Sequence, residues 1–376
     1  MHSMYKECNP TPALSPKMLL FNEDLAKEIN LHYLIENSNE RLDILSGNKL
    51  IKDSKPIAFA YSGHQFGHFN PNLGDGRALL LGEILDQQGK LKDIQLKGSG
   101  RTPFSRRGDG KSALGPVLRE YLISESMHIL GIPTTRSLAA INTGEKVHRD
   151  EETYGGIMTR VASSHIRIGS FEYAYKNKDI SVVKDLADYS ISRHYPDTAS
   201  LDNPYLAFFA AVCNEQASLV ASWMTVGFIH GVMNTDNMAI SGETIDYGPC
   251  AFMDAYDPAT VFSSIDVNGR YAYGNQPAIL TWNLTRLAET LIPLVNKDKD
   301  ESIKLLTEVL QLIKPVYTNY WLSLMRSKIG LSKEEQNDIE LITNLLEIME
   351  EEKADFTNSF RLLSKALIGD TQSIRK

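Results

Sequence analysis

Short apolar runs, some alternating with polar residues and others continuous, occur throughout the first 165 positions of the chain. Such runs are typical of strands when glycine, proline or charged residues bound them. This pattern predicts strands at 56–63, 77–85, 92–98, 135–142 and 154–162. The segment 113–130 instead predicts a helix, because its apolar residues recur at helical spacing and a Gly-Ile-Pro sequence follows it. Residues 1–55 are mixed, with a short helical pattern at 22–31.

Beyond about residue 180 the apolar positions follow helical spacing. The pattern predicts helices at 182–193, 203–229, 280–294, 302–328 and 332–368. The chain is therefore strand-rich first and helix-rich second, with no internal repeat. For a chain of 376 residues, this order predicts an α+β fold in two lobes.

Composition and charge exclude several classes of partner. The chain is 42% hydrophobic and 23% charged, as is usual for globular proteins. A net charge of −8 argues against a general nucleic-acid binder, which usually carries a basic surplus. The most apolar stretch, 206–233, is interrupted by Asn214, Glu215 and Gln216, so it predicts a buried helix and not a membrane span. We therefore expect neither nucleic acid nor a membrane as a partner.

The cysteines and the N-terminus indicate in which cellular compartment the protein is expected. Cys8, Cys213 and Cys250 are too few and too scattered for a disulfide framework or a zinc site, and they indicate a reducing compartment. The first 16 residues have no apolar core and do not resemble a secretory signal. The expected location is the cytoplasm in a bacterium, or the mitochondrion in a eukaryote, although no transit peptide is visible.

One segment, HGVMNTDNMAISGETIDYGP at 230–249, looks like a phosphotransferase site with one part changed. Kinase-like enzymes carry His-x-Asp-x-x-x-x-Asn followed by Asp-x-Gly. Here Asn237 lies seven residues after His230, and Asp246 begins Asp-Tyr-Gly, but Val232 stands where the catalytic Asp is expected. The motif favours a protein-kinase-like fold. We expect a strand-rich N-lobe over 1–165 and a helical C-lobe over 166–376, with the nucleotide between them.

Three residues of this segment suit metal and proton chemistry. Asn237 and Asp246 offer the hard oxygen ligands that Mg²⁺ prefers, and nucleotide phosphates and water can complete the set. Asp236 is then the only nearby carboxylate left to act as a base for an attacking hydroxyl. The changed loop therefore predicts altered chemistry, with a non-catalytic nucleotide-binding scaffold as the alternative.

Charged residues outside this segment complete the predicted site. Lys97 ends a predicted strand and Glu120 lies in the following helix, as in the lysine–glutamate pair of kinases. Alone, this pair would more often be a surface lysine and a solvated glutamate. Two Gly-Asp-Gly segments, each followed by a cation, flank Lys97 at 74–77 and 108–111. Each alone is typical of a turn, but together they indicate a phosphate enclosure.

Two arginines and three histidines are further candidates for the site. Arg160 and Arg167 carry planar guanidinium groups that suit a polyphosphate, although two such arginines are commonly a surface pair. His64 and His68 lie four residues apart, but no carboxylate follows at a suitable spacing, so we expect no metal there. His165 is predicted to be a hydrogen-bonded structural residue.

Five long segments are distinctive when taken together. They are AYSGHQFGHFNPNLGDGRALLLGE (60–83), QLKGSGRTPFSRRGDGKSAL (95–114), LREYLISESMHILGIPTTRSL (118–138), MTRVASSHIRIGSFE (158–172) and GVMNTDNMAISGETIDYGPCAFMDAYDP (231–258). These segments resemble the selenoprotein O family. The likeness runs from about residue 10 to about 360. It implies a kinase-like fold that moves AMP from ATP onto protein hydroxyls, with the nucleotide flipped so that its α-phosphate faces the acceptor.

The resemblance also implies a role for each matching residue. Lys97 would contact phosphates and pair with Glu120, Asp236 would be the base, and Asn237 and Asp246 would hold Mg²⁺, with Mn²⁺ as an alternative. The residues implied to line the nucleotide pocket are Gly74, Gly76, Arg77, Lys97, Asp109, Gly110, Arg160, Arg167 and Asp246. The implied partners are ATP and proteins that bear Ser, Thr or Tyr hydroxyls. UMP transfer from UTP and ordinary γ-phosphate transfer remain open.

Two features depart from the family pattern. Family members continue beyond the segment KADFTNSFRLL (353–363), often to a redox-active cysteine or selenocysteine, whereas this sequence ends at Lys376. The expectation is that the chain lacks this tail, which puts redox control through it in doubt. In addition, Lys111 follows Gly-Asp-Gly where arginine is commoner, a change that keeps the cation.

Overall fold

The computed structural model of the protein describes residues 2–176 and 179–369. Its strands are β1 (Tyr5–Glu7), β2 (Lys17–Phe21), β3 (Ile57–Phe59), β4 (Gly63–Gln65), β5 (His68–Asn70), β6 (Ala78–Leu85), β7 (Leu91–Lys97), β8 (Ser112–Ala113), β9 (Arg136–His148), β10 (Glu152–Ala162), β11 (Phe228–Ile229) and β12 (Ala251–Phe252). Its helices are α1 (Glu23–Glu28), α2 (His32–Glu36), α3 (Ser38–Leu45), α4 (Leu114–Ile129), α5 (Ile168–Lys176), α6 (Ile180–His194), α7 (Pro204–Thr225), α8 (Gln276–Val295), α9 (Lys299–Ile329), α10 (Asp338–Glu351) and α11 (Phe356–Leu367).

One antiparallel sheet contains most of the strands in the first half of the chain. Its order is β1-β3-β6-β7-β10-β9-β2, with β8 also paired to β10. Strand β7 is central, and its last residue, Lys97, pairs with Ala78 on β6 and with Met158 on β10. This register places Lys97 in the interior of the sheet.

Successive side chains of β7 point alternately to the apolar core and to the opposite face of the sheet, which carries the candidate site. Ile94 and Leu96 pack into the apolar cluster that also contains Leu25 of α1. Gln95 and Lys97 face the other way, because successive side chains of a strand point to opposite faces. The apolar face is therefore covered by the N-terminal helices, and the opposite face carries the polar side chains of the site.

Removal of the Leu96 side chain should test this core. Leu96 is fully buried, and we expect Leu96→Ala to lower the free energy of unfolding by about 2–5 kcal/mol, since a cavity is added to the lost burial. Urea unfolding at equilibrium measures the effect. Leu91→Ala on the same strand is the control, because that side chain is 42% exposed and should change stability little. Equal losses in the two variants would contradict this account of the core.

Most predicted elements are confirmed, but several boundaries are wrong. The strand predicted at 135–142 continues to His148 as part of β9. The predicted strand 56–63 is split between β3 and β4. The predicted helix 203–229 ends at Thr225, because Gly227 takes a left-handed φ of 69° before β11. The predicted helix 332–368 is two helices. Lys353 has a φ of 51° between them, and Asp355 caps α11 by accepting from the amide of Asn358.

Several elements were not predicted from the sequence, among them the short strands β1, β5, β8, β11 and β12. Two longer ones are β2, an outer strand of the large sheet, and α5, the helix that begins directly after Arg167. Helix α5 has only nine residues, so the helical spacing of its apolar residues repeats too few times to be recognised in the sequence.

The described residues divide into two units. The first comprises Met1–Phe208, Asn234–Tyr247 and Glu289–Lys297, and the second Phe209–Met233, Gly248–Ala288 and Asp298–Lys376. Every sequence-predicted site residue from Gly74 to Asp246 belongs to the first unit. The lobe boundary placed at 165 stays a prediction.

The second unit is mainly helical. Within it, the Gln276 side chain accepts from the amide of His230 and donates to the carbonyl of Phe228, each at 2.9 Å, so it ties β11 to the start of α8. The α+β class, strand-rich first and helical second in the manner of protein kinases, is confirmed. Cys8, Cys213 and Cys250, all within the described residues, form no disulfide. No helix in the part of the chain that the structure describes has the length and hydrophobicity of a membrane span.

Candidate active site

Three cations converge on the carboxylate of Asp246. Lys97 Nζ lies 2.6 Å and Arg160 Nη1 2.8 Å from Oδ1, while Arg167 Nη1 lies 3.0 Å from Oδ2. Burial disfavours the charged form of Asp246, but these cations outweigh it and hold its pKa well below the usual range. Asp246 is therefore an ionised carboxylate at neutral pH.

Helix α4 supplies a second acid to the same cluster. Glu120 Oε2 lies 2.7 Å from Lys97 Nζ, and Oε1 lies 3.2 Å from Arg160 Nη1. Glu120 is buried, and so is the Arg160 side chain. The cluster is thus a buried set of ion pairs in which each charge has a partner, as burial requires.

Two members of the cluster were not identified from the sequence. The Gln95 side chain accepts from Arg160 Nη2 at 2.6 Å and donates to Asp75 Oδ2 at 3.2 Å. Asp75 Oδ1 in turn lies 3.7 Å from Arg167 Nη2, which closes a ring through Asp246. For Gln95 the sequence did contain a signal, the alternation of polar and apolar residues along β7. Asp93, Gln95 and Lys97 form a polar face on this strand, whose other face is apolar.

Asp236 lies in a single turn of 3-10 helix, Thr235–Asn237, and joins the cluster through Arg167. Arg167 Nη1 donates to the Asp236 carbonyl at 2.9 Å as well as to Asp246. The residue is only 7% exposed, and within the described residues its Oδ1 has no hydrogen-bond partner. Burial raises the pKa of the Asp236 carboxyl to about 7, although the charge of Arg167 opposes the shift. A carboxyl of this kind can exchange a proton near neutral pH.

The residues proposed to hold a divalent cation lie at one end of a folded segment. Met238 and Thr244 form an antiparallel bridge, which brings the chain back so that Asn237 and Asp246 flank the same end. An ionised carboxylate and an amide oxygen are hard donors, and they fit Mg²⁺ or Mn²⁺. The donor set is therefore chemically suited to the predicted metal.

The glycine-rich segment 74–77 is bonded to residues 102–105, which precede the second glycine-rich segment at 108–111. Thr102 Oγ1 donates to the Asp75 carbonyl at 2.6 Å, and Ser105 Oγ donates to the Gly76 carbonyl at 2.5 Å. Gly74 has a φ of 100°, and a side chain there would meet the Phe104 ring. This close approach explains a glycine at position 74.

The remaining predicted pocket residues lie on or beside these segments. Arg77 is exposed, and Asp109 is paired with Arg149 Nη1 at 3.0 Å and not with the Asp246 cluster. Gly110 carries a φ of 69° and packs against the backbone of Gly100. The nucleotide-binding roles of these residues stay predictions. His165 is buried and bonded to Asp93 at 2.9 Å, as expected of a structural histidine.

An antiparallel sheet, a strand lysine paired with a helix glutamate, and an Asp-x-Gly aspartate beside that lysine define a protein-kinase-like enzyme. A family model described as "Protein adenylyltransferase SelO" matches residues 2–374. The chain belongs to this family, which confirms the resemblance to selenoprotein O, and it is a nucleotidyltransferase.

Individual relatives are similar over nearly the whole chain. A protein from Brevibacillus brevis named "Protein nucleotidyltransferase YdiU" is 56% identical over 362 residues, which cover 96% of this chain and 74% of the relative. A protein of the same name from Rhizobium rhizogenes is 56% identical over 359 residues, with 96% and 71% covered. Another from Shouchella clausii is 54% identical over 360 residues, with 96% and 74% covered.

Proposed function

We propose that the protein transfers AMP from ATP to Ser, Thr or Tyr hydroxyls of other proteins. The observation that carries this proposal is the position of Arg167, whose guanidinium joins the backbone of Asp236 to the carboxylate of Asp246. A candidate base is thereby held directly beside a cluster of cations suited to phosphates. The family description and the names of the relatives support nucleotidyl transfer to protein.

Each group has a defined part in the proposed step. The acceptor oxygen forms a bond to the α-phosphorus, the bond from that phosphorus to the bridging oxygen breaks, and pyrophosphate leaves. The acceptor proton passes to the Asp236 carboxylate. Lys97, Arg160 and Arg167 bind and orient the phosphates through charge-assisted hydrogen bonds. Asn237 and Asp246 would hold Mg²⁺ or Mn²⁺, which supplies positive charge to the phosphates.

Transfer of AMP is favoured over transfer of the γ-phosphate for a chemical reason. The position two residues after His230, which carries the base in kinases, is Val232 and cannot accept a proton. Asp236 is the carboxylate that the cluster retains, so we propose that the α-phosphate faces it. This is the flipped nucleotide orientation implied by the family resemblance.

Position-specific labels test the proposal. We expect the chain and an added acceptor, dephosphorylated casein, to retain label from α-labelled ATP but not from γ-labelled ATP. The proposal is contradicted by label from the γ position alone, which indicates a kinase, or by no label from either position, which indicates a scaffold. Parallel reactions with α-labelled UTP and with Mg²⁺ or Mn²⁺ determine the preferred nucleotide and metal, and preferential UMP transfer would contradict AMP as the transferred group.

A further inference from the structure

A buried acid that the proposed reaction does not use lies beside the loop of Asp236. Glu172, on α5, has a side chain only 4% exposed. Its Oε2 accepts a hydrogen bond from the hydroxyl of Thr235 at 2.6 Å, and its Oε1 is in contact with Nδ1 of His64. Burying a carboxylate is unfavourable unless it is well paired, so this arrangement calls for a specific explanation.

Thr235 completes a ring of hydrogen bonds that also contains His64 and Glu172. Thr235 Oγ1 accepts from the backbone amide of His64 at 2.7 Å while it donates to Glu172. Its side chain is fully buried. Because one hydroxyl both donates and accepts, its rotamer is fixed, and so is the backbone that leads into Asp236.

The hairpin 63–70, formed by β4, β5 and their turn, contacts each residue of the loop 234–236. Besides the bond to Thr235, the amide of Phe66 donates to the Asn234 side chain at 3.1 Å. Gln65 Nε2 lies 3.4 Å from Asp236 Oδ2, which makes a weaker contact. The hairpin therefore supports the loop at three successive positions.

Two glycines allow these segments to approach at backbone distance. A Cβ on Gly63 would lie 2.3 Å from Asp236 Oδ1, and a Cβ on Gly169 would lie 2.2 Å from the Ser62 carbonyl. Neither position has room for a side chain. The carboxylate of Asp236 is consequently confined between the hairpin and the start of α5.

We propose that Glu172 and Thr235 are positioning residues that hold Asp236 in the orientation needed to accept the hydroxyl proton of the acceptor. The inference rests on the proposed function, in which Asp236 is the base. A displacement of about 1 Å in a reacting group can lower a rate by about 10²-fold. A ring that fixes the residue next to the base therefore affects turnover without touching nucleotide or acceptor.

Thr235→Val tests the ring, because valine keeps the shape of threonine and removes both hydrogen bonds. We expect the kcat for AMP transfer to casein to fall about 10–100-fold, while the Kd for ATP, measured by calorimetry, changes less than about twofold. Thr235→Ser keeps the hydroxyl and should restore most of the rate. Thr143→Val is the matched control, because this buried threonine of β9 accepts from the Glu145 amide at 3.3 Å and lies outside the ring.

The inference is overturned if folded Thr235→Val retains the wild-type kcat, if its Kd for ATP rises as much as its kcat falls, or if Thr235→Ser loses as much rate as Thr235→Val. Should Thr235→Val not fold, Glu172→Met takes its place with the same expected fall in kcat at constant Kd, because methionine keeps the length of the side chain and removes both oxygen acceptors. No label transfer by the wild type would contradict the proposed function and this inference with it. Transfer by the wild type and undiminished transfer by the variants would contradict the inference alone.

Discussion

Replacement of Asp246 by alanine is expected to abolish nucleotidyl transfer and to weaken the metal-dependent part of ATP binding. Asp246 is the only anionic ligand proposed for the metal, so its loss leaves Asn237 and the phosphates as ligands. It is also the shared partner of Lys97, Arg160 and Arg167, which would lose the anion that holds them together. Breaking such a buried set by removing one partner destabilises by about 3–5 kcal/mol.

Calorimetric titration with ATP, in the presence of Mg²⁺ and again with a chelator, separates the two contributions. We expect wild-type affinity to depend on the metal and the affinity of Asp246→Ala to be nearly independent of it. Asp246→Asn keeps the side-chain shape and isolates the effect of charge. Asp86→Ala is the matched control, because Asp86 is a buried aspartate that caps the amides of Gln88 and Lys90 in the β6–β7 turn. Unchanged affinity and activity in Asp246→Ala would show that the Asp-Tyr-Gly assignment is wrong.

Replacement of Asp236 by alanine should separate turnover from nucleotide binding. A general base contributes about 10²–10⁴-fold to a rate, and we expect Asp236→Ala to lose turnover within that range. ATP binding should be retained, since Lys97, Arg160 and Arg167 remain. It can even tighten slightly, because one negative charge near the phosphates has been removed.

Single-turnover transfer of the α-label to casein, measured beside the Kd for ATP, provides the comparison. Asp236→Asn is the conservative control, because the amide keeps the volume of the carboxylate but cannot accept the proton at this step. Adding Val232→Asp to Asp236→Ala restores a carboxylate at the kinase position and should not restore AMP transfer. A near-wild-type rate in Asp236→Ala, or recovery in the double variant, would remove Asp236 from the role of base.

The residues that form the cluster around Asp246 were largely predictable from motifs. Lys97, Glu120 and Asp246 belong to patterns in which chemistry dictates both residue type and order, so a single chain can display them. The structure places Lys97 in direct contact with both Glu120 and Asp246. Arg160 and Arg167 carried only a weak signal from the sequence, since an arginine pair has many uses. Their roles in nucleotide binding remain predictions.

Other parts of the site had no usable signal in the sequence. Asp75 belongs to a segment that was predicted to enclose phosphates, yet its side chain reaches Gln95 and Arg167. The histidine of the hairpin, His64, was considered only as half of a metal pair. In the structure it meets Glu172, which lies 108 positions away along the chain. Spacing within a segment carries no information about such a partner.

The periodicity of hydrophobic residues was sufficient to predict the α+β class, the central strands and helix α4, because each depends on interactions within one segment. Local turn chemistry was also present in the sequence at Gly227, whose left-handed conformation favours glycine, but not at Lys353, because lysine has no preference for that conformation. The burial and charge state of Asp236, and the ring that joins Thr235 to Glu172, depend on which distant segments pack together. Burial and hydrogen bonding arise from that packing, since a side chain loses water and finds its partner only when the whole fold has formed.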